Sequence, residues 1–478
     1  MPAPKIHNAD LAPLIRDAYT PESVQTLWAE LKSHGSLRFP TVPGRGLFRA
    51  ALTANTADGG DYTGYDNAWV RDTVHVAHAL LVQGQGASAA AAVLDVVRFW
   101  LQYRHRWTEC IAGTVDWKHD PTKRPHIRFN GGELRENDET WAHAQNDAIG
   151  YTAWLLCLLA EQGHVDLMAP LADVDGEMTT ATALDMLVLI ALYLSAVSFW
   201  ADDDSGHWEE ARKVEASSIG AATAGLRDLE ALLDTRTELR SAFDASFAAT
   251  VATVGPKDAH GCSAGGYALV SSLVARGKAV LAEILPYESR GPAERVSDGA
   301  QLFLVYPLDV VEDRAVARAM VERVISDLAG DYGIRRYRGD SYWAADYKKL
   351  FSESTRTADF SDDLSARDAK LKPGQEAQWC IFDSIVSCIY ARWARDPDAS
   401  ADQRRADLAT QLHFFNRAVG QITGSDCAFG AWHCPESYYI EDGKYVSNDV
   451  CPLLWTGANL VKALVEMTET VSSASSSK

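Results

Sequence analysis

The chain has 478 residues, 47% of them apolar, and carries 45 Lys and Arg against 65 Asp and Glu for a formal net charge of −20. That length and apolar content supply a large buried core. A surface this acidic repels phosphate backbones and anionic lipids, which excludes nucleic acid and a membrane surface as partners on electrostatic grounds.

The opening MPAPKIHNADLAPLIRDAYT has no basic start followed by an apolar run, so no secretory signal is read and a cytoplasmic protein is expected. Residues 1–60 are expected to be an N-terminal extension packed on the outside of a domain covering 61–470. Helical periodicity then recurs over roughly 66–83, 88–106, 141–162, 178–200, 214–233, 236–252, 263–284, 298–306, 312–329, 375–395, 402–423 and 452–470, while alternating β-type runs are scarce. Ser88 and Ser297 are candidate N-caps, and Gly84, Gly163 and Gly330 candidate stops. The most apolar stretch, Ala181–Trp200, is long enough to span a bilayer, but Asp185 within it and Asp202–Asp204 after it favour a core helix. Lys349–Pro373 is polar and weakly periodic, as a surface insertion would be, and 471–478 reads as a disordered tail. The fold class expected is all-α, with about a dozen helices fitting an α/α toroid. No period of about 20–50 residues repeats, which disfavours a solenoid. Nothing in the composition selects an oligomeric state.

Eight cysteines, at 110, 157, 262, 380, 388, 427, 434 and 451, form no C-x-x-C pair, and no His cluster has zinc spacing. Reduced, mostly buried thiols are the simplest expectation; Cys427/Cys434 or Cys434/Cys451 are the pairings to consider in an oxidising compartment.

The interhelical loops DYTGYDNAWVRD, FNGGELRENDETWAHAQND, DDDSGHWEEARK, GIRRYRGDSYWAADY and CPESYYIEDGKY combine Trp and Tyr with Arg, Asp and Glu. Rings stack on sugar faces and carboxylates and guanidinium groups bond hydroxyls, so loops of this kind on a rigid scaffold suggest a carbohydrate pocket. Glycosidic hydrolysis needs two carboxyls flanking the anomeric carbon, one protonated and one ionised. Glu209 lies between Trp208 and Glu210, and an indole and a like charge both raise a carboxyl pKa. A carboxylate stabilised by a helix dipole accounts for the same position. Glu436 lies in an aromatic loop, where a solvated acid is the alternative and Glu441 a competitor. Arg71 and Asp72, after Trp69, are either a structural ion pair or a grip on sugar hydroxyls; His75 and His78 on the same helix read as core or rim residues.

Taken together and in order, from about Asp61 to Leu464, these segments resemble glycoside hydrolase family 15, the glucoamylases, and the glucoamylase-like domains of phosphorylase kinase α and β subunits. Trp69, Arg71 and Asp72 match the family's W-x-R-D, whose Arg and Asp hold the non-reducing sugar. Tyr65 resembles the tyrosine that places the attacking water. Trp141, Gln145 and Asp147 resemble a pocket-lining segment, and Arg336, Asp340 and Tyr342 a sugar-binding one. In GHWEE, Trp208 precedes Glu209, which occupies the general-acid position, with Glu210 beside it as a further substrate contact; Glu436 in PES occupies the general-base position. The resemblance implies an (α/α)6 barrel, no cofactor or metal, and inverting release of β-glucose from the non-reducing end of α-glucosides. The carboxyls would then stand about 6.5–9.5 Å apart, with a water between.

The departures are specific. Too few residues precede Asp61 for an N-terminal β-sandwich; Ala142, His143 and Ala144 replace the common Gly-Arg-Pro; and EARKVEASSIG is closer to the kinase-subunit domains. The function expected is an inverting exo-acting α-glucosidase on short α-glucosides. The alternative is a non-catalytic carbohydrate-sensing or regulatory module, and a third class is another α/α-toroid enzyme such as a lyase, phosphorylase or epimerase.

Overall fold

Why the apolar periodicity recurs about a dozen times is visible in the helix order of the computed structural model, which describes residues 3–53, 61–256, 265–291, 294–356 and 364–476. The helices are α1 (Pro21–Ser33), α2 (Val70–Val82), α3 (Gly86–Gln102), α4 (Arg104–Ala112), α5 (Asn146–Glu161), α6 (Ala183–Ala196), α7 (Ala216–Thr235), α8 (Thr237–Val254) and α9 (Gly266–Ile284). They continue with α10 (Gln301–Val305), α11 (Arg314–Leu328), the single turns α12 (Tyr347–Leu350), α13 (Glu353–Arg356) and α14 (Ser365–Asp368), then α15 (Ile381–Ala394), α16 (Ala401–Gly420) and α17 (Leu454–Ser476). Helix α2 packs on α5, α5 on α7, α7 on α10, α10 on α15, α15 on α17, and α17 back on α2, closing an inner ring of six. Helices α3, α6, α9, α11 and α16 each back the inner helix that precedes them, and α1 backs α17. The fold is an (α/α)6 barrel, and α1, from the segment expected to be an extension, supplies its sixth outer helix.

Burial explains the composition of individual helices. Every residue of α2 from Val70 to Leu81 is buried, as an inner-ring helix requires. Helix α6 is apolar nearly all round because α4 and α8 cover the face that an outer helix normally shows to water. It has 14 residues and starts at a Thr182–Asp185 capping box; among the described residues no helix is long and apolar enough to cross a membrane. Helices α5 and α7 approach closely because Gly150 and Gly225 face one another's backbones: a Cβ on Gly225 would stand 2.6 Å from the Gly150 carbonyl oxygen.

Strands are confined to the barrel's loops: β1 (Ala68–Trp69) with β2 (Arg128–Phe129), β3 (Pro170–Ala172) with β4 (Met178–Thr182), and β5 (Gln378–Trp379), β6 (Ser437–Glu441) and β7 (Lys444–Ser447) in one antiparallel sheet. Among the described residues there is no N-terminal β-sandwich. Several expected helices are shortened at their starts. Strand β1 precedes α2, the WAHAQ stretch has no regular secondary structure before α5, β4 precedes α6, and β5 precedes α15. In each case the lost turn carries side chains committed to tertiary partners. Neither expected serine cap is one: α3 is preceded by Gln85 and contains Ser88, while the Ser297 hydroxyl donates to Asp327 at 2.6 Å. Gly84 and Gly163 do follow helix ends in the left-handed conformation. The expected tail is helical as far as it is described, because α17 runs on to Ser476 through residues that cost a formed helix little. Of the expected insertion, 357–363 lie outside the described residues, as do 54–60 of the extension, positions 477–478 and Cys262. The other seven cysteines are unbridged, and all but Cys427 are buried.

Candidate active site

Strand β1 delivers the chain directly into α2, so Arg71 and Asp72 occupy the first turn of an inner helix, at the barrel mouth. Register pairs Trp69 with Arg128 and Ala68 with Phe129, which brings the Arg128 guanidinium over the rings of Trp141 (3.7 Å) and Trp69 (5.0 Å). The mouth opens into a recess lined by Thr63, Tyr65, Trp69, Arg71, Asp72, Arg128, Trp141, His207, Trp208, Glu209, Arg336, Tyr342, Arg367, Trp379, Glu436, Leu453 and Trp455.

Arg71 organises one wall. Its Nε donates to Asp147 at 2.6 Å, its Nη2 to Gln145 at 2.6 Å and to the Gly206 carbonyl at 2.9 Å, and its Nη1 to Glu209 at 2.9 Å. Gln145 and Asp147 therefore hold the arginine from behind and do not line the recess. Burial works to raise the Asp147 carboxyl, but Arg71 outweighs it and holds the group below its usual range. Asp72 points the other way. No side chain among the described residues bonds its carboxylate, and burial pushes it up to about 7, with Arg71 opposing and Glu209 adding to the rise.

Glu209 ends the 3-10 turn Gly206–Trp208 in the left-handed conformation, φ +49°. Helix α7 begins only at Ala216, so a helix-dipole role for this carboxylate does not apply. Burial raises the Glu209 carboxyl against the pull of Arg71. The left-handed backbone sends the next side chain elsewhere. Glu210 is buried outside the recess, where Arg295 grips it and Lys213 donates to it at 2.8 Å. Those two cations overcome burial and hold Glu210 well below its usual range. It is not the neighbour that raises Glu209, nor does it reach a ligand in the recess. Trp208 is fixed by its indole N–H, which donates to Asp298 at 2.8 Å.

A second part of the lining comes from the three-stranded sheet. Glu436 immediately precedes β6, with its N–H on the Val450 carbonyl and its own carbonyl accepting from Cys380. Its carboxylate accepts from the Tyr65 hydroxyl at 2.9 Å and from the Asn448 amide. Burial drives its carboxyl up to about 8, with those two hydrogen bonds and Arg336 resisting and Asp72 assisting. The competitor Glu441 lies outside the recess, accepting from Tyr439 at 2.8 Å. On the floor, Asp340 takes both Nε and Nη2 of Arg336, at 2.7 and 2.8 Å, so Asp340 again supports an arginine and does not itself line the recess. The Arg336 guanidinium faces Trp379 at 4.6 Å and Tyr342 at 5.0 Å.

The recess thus brings together Tyr65, Trp69, Arg71, Asp72, Trp141, Trp208, Glu209, Arg336, Tyr342 and Glu436 from the sequence-based set, and leaves Gln145, Asp147, Glu210 and Asp340 behind it. Sequence reasoning missed Arg128, Trp379 and Trp455, which are single residues with no local signal, and His207, which lies inside the GHWEE segment. It also missed Arg367, in the segment expected to be a surface insertion, which reaches the recess and donates to Ser341 at 2.9 Å. The indole N–H groups of Trp141, Trp379 and Trp455 are buried without a partner among the described residues, which suits a ligand rich in hydroxyl acceptors. His75 lies in the core beneath, stacked on Trp455 at 4.7 Å.

Residues 38–263 match the profile of the Glycosyl hydrolases family 15. Over 375 residues the chain is 24% identical to the probable phosphorylase b kinase regulatory subunit alpha of Caenorhabditis elegans, covering 73% of this chain and 26% of that one. It therefore spans about a quarter of the length of that relative. Among solved structures, a glycosidase variant superposes with a TM-score of 0.61 at 18% identity, covering 94% of this chain and 99% of that one. A glycosidase in complex with glucose gives 0.56 at 18%, covering 96% and 98%. A glucoamylase from Saccharomycopsis fibuligera gives 0.55 at 12%, covering 96% and 99%. The fold is that of the glucoamylases, and the chain resembles both family 15 and the phosphorylase kinase regulatory subunit.

Proposed function

We propose that the protein is an inverting, exo-acting α-glycoside hydrolase that releases a sugar from the non-reducing end of short α-glucosides, with Glu209 as general acid and Glu436 as general base. One observation carries this proposal: Glu209, from the turn after Trp208, and Glu436, from the start of β6, both line one recess, whose remaining polar lining includes Arg71, Asp72 and Arg336. Asp72 and the two arginines offer an acceptor and donors to the hydroxyls of one sugar ring, and the tryptophans close around its apolar faces. The general acid protonates the glycosidic oxygen; the base takes a proton from water attacking the anomeric carbon from the other side. The Tyr65 hydroxyl, on the Glu436 carboxylate, is placed to orient that water.

A second assignment is favoured by the unliganded electrostatics. Arg71 stabilises Glu209 as an anion, while burial keeps the Glu436 carboxyl protonated up to about 8, so the two roles could be exchanged. An α-glycosyl fluoride separates the two, because fluoride leaves without protonation while water still needs a base. With Glu209 as acid, Glu209→Gln retains turnover of the fluoride and loses that of maltose, isomaltose or trehalose, whereas Glu436→Gln loses both. The opposite pattern exchanges the roles, and full activity of either variant on the disaccharides sinks the hydrolase assignment. Proton NMR of the first product then reads the stereochemistry, an early β-anomer being the inverting outcome. Saturable sugar binding with no turnover of any of these substrates would leave the sensing module suggested by the kinase-subunit resemblance.

A further inference from the structure

The two side chains that donate to the Glu436 carboxylate, Tyr65 and Asn448, come from segments far apart in sequence. A buried carboxylate behind the recess ties those segments together. Asp449 directly follows Asn448 and is buried, yet it does not line the recess. Its Oδ2 accepts from the Tyr62 hydroxyl at 2.6 Å. Tyr62 and Tyr65 share one braced turn: Asp61 accepts from the Thr63 and Asp66 N–H groups at 2.9 and 3.0 Å, and the Tyr65 N–H donates to the Thr63 hydroxyl at 3.3 Å. One hydrogen bond therefore links the turn that bears the first donor to the residue beside the second.

The other Asp449 oxygen accepts from Lys348 Nζ at 3.0 Å, and Arg356 Nη1 stands 4.0 Å from Oδ2 and donates to the Tyr62 hydroxyl at 3.4 Å. Both cations come from the short helices α12 and α13, at and beside the start of the segment expected to be a surface insertion. They are held as one unit, because Arg356 donates to the Lys348 carbonyl at 3.1 Å and the Tyr347 hydroxyl donates to the Arg356 carbonyl at 2.8 Å. Lys348 also stands 3.9 Å from Glu441 on β6. A hydrogen bond to an ionised group is short and directional, so a carboxylate at this junction fixes both segments more tightly than an apolar contact does.

We propose that Asp449 is a positioning residue for Glu436: holding Tyr62 on one oxygen and Lys348 on the other, it keeps the Tyr65 hydroxyl and the Asn448 amide on the Glu436 carboxylate. The start of the insertion is then a brace for the site. The two donors favour the ionised form of Glu436, so releasing the clamp raises its pKa, with Arg336 and Asp72, the charged groups that face it, left in place. The Asp449 charge acting through space has the opposite sign, since removing a like charge lowers a neighbouring carboxyl. The clamp acts on Glu436 whether or not the recess hydrolyses a glycoside; only its effect on turnover rests on that assignment.

The test is a 13C NMR titration of the glutamate carboxyl carbons in the folded full-length chain, with the Glu436 signal assigned by its loss in Glu436→Gln. Tyr62→Phe cuts the clamp without changing any charge, and should raise the Glu436 pKa by about 0.5 unit, a fraction of what a charged hydrogen bond is worth. Asp449→Ala should raise it at least as far, and Asp449→Asn, which keeps an oxygen for Tyr62, less far. Added to Tyr65→Phe/Asn448→Ala, Tyr62→Phe should give no further shift, because the donors it positions are gone. If Asp449→Ala does not fold, Tyr62→Phe, which lacks one hydroxyl, still decides. The proposal is overturned if Tyr62→Phe leaves the titration unmoved or moves it toward acid, if its shift persists in the double-variant background, or if only Tm falls. Maltose turnover by the parent is read separately: its absence counts against the hydrolase reading and leaves the titration result standing.

Discussion

Tyr65→Phe removes one hydroxyl that donates to Glu436 at 2.9 Å and leaves the ring in place. That hydrogen bond favours the ionised carboxylate, so losing it raises the Glu436 pKa further above its value of about 8. A hydrogen bond to a charged group contributes about 1.5–3 kcal/mol, and one pKa unit corresponds to about 1.4 kcal/mol. The shift expected is therefore about 1–2 units. The assay is the pH dependence of kcat/KM, which reports the ionisations of the free enzyme. If Glu436 is the base, its ionised form is the active one, and the ascending limb moves to higher pH in the variant. If Glu436 is the acid, the descending limb moves to higher pH instead. Asn448→Ala, which removes the second donor, must move the same limb in the same direction. The reasoning fails if neither limb moves, or if either variant moves a limb toward acid.

Glu436→Gln should also be more stable than the parent at alkaline pH. The folded carboxyl has a pKa of about 8 against an ordinary 4.5, so its contribution is fully present below about 4.5 and lost as pH rises through about 8. Urea melts from pH 5 to 9 should show the parent losing up to roughly 5 kcal/mol relative to the variant; parallel curves would contradict burial as the cause. Gly206→Ala places a Cβ 1.5 Å from the Glu215 carboxylate at a residue with φ +53°. A loss of at least about 2 kcal/mol and a fall of about 10-fold or more in turnover are expected, and an unchanged Tm would refute the clash. Arg295→Met strips Glu210 of its main partner and should cost about 3–5 kcal/mol in chemical denaturation with KM little changed. A KM effect without a stability effect would return Glu210 to the substrate.

How much of this was legible in the sequence depends on how local each determinant is. Trp69, Arg71 and Asp72 could be read because one strand-to-helix junction presents all three. Glu210 could not, because adjacency suggested a shared environment and the left-handed backbone at Glu209 gives consecutive carboxylates different ones. Arg128 reaches the recess through its pairing with Trp69 across β1 and β2, and Trp455 through the closure of α17 on α2; both are long-range facts with no signature of their own. The helices themselves were legible from periodicity, yet their starts were not: the WAHAQ stretch has helical composition but lies outside α5, with its Ala144 carbonyl on the Ser205 N–H and its Gln145 side chain on Arg71. Helix α1 was set apart from the barrel because nothing near it in sequence shows that its partner is the last helix of the chain.

The choice between hydrolysis and mere recognition of a sugar turns on what the recess spends its stability on. Binding one sugar ring requires aromatic faces and a few charged hydrogen-bonding groups, which Trp69, Trp141, Arg71, Asp72 and Arg336 already supply. Burying an additional carboxyl destabilises a fold unless the group is protonated or well bonded. Glu436 is nonetheless 2% exposed, ringed by Tyr65 and Asn448 on its oxygens and set in one recess with a second carboxyl on Arg71. Burial raises both carboxyls, against Arg71 at Glu209 and against the Tyr65 and Asn448 hydrogen bonds at Glu436, and a pair of buried carboxyls on one recess is what acid and base catalysis draws on. Tyr65 is the most informative residue of the site, because its hydroxyl touches the proton inventory of Glu436 and its loss leaves Arg71 and Arg336 as they are.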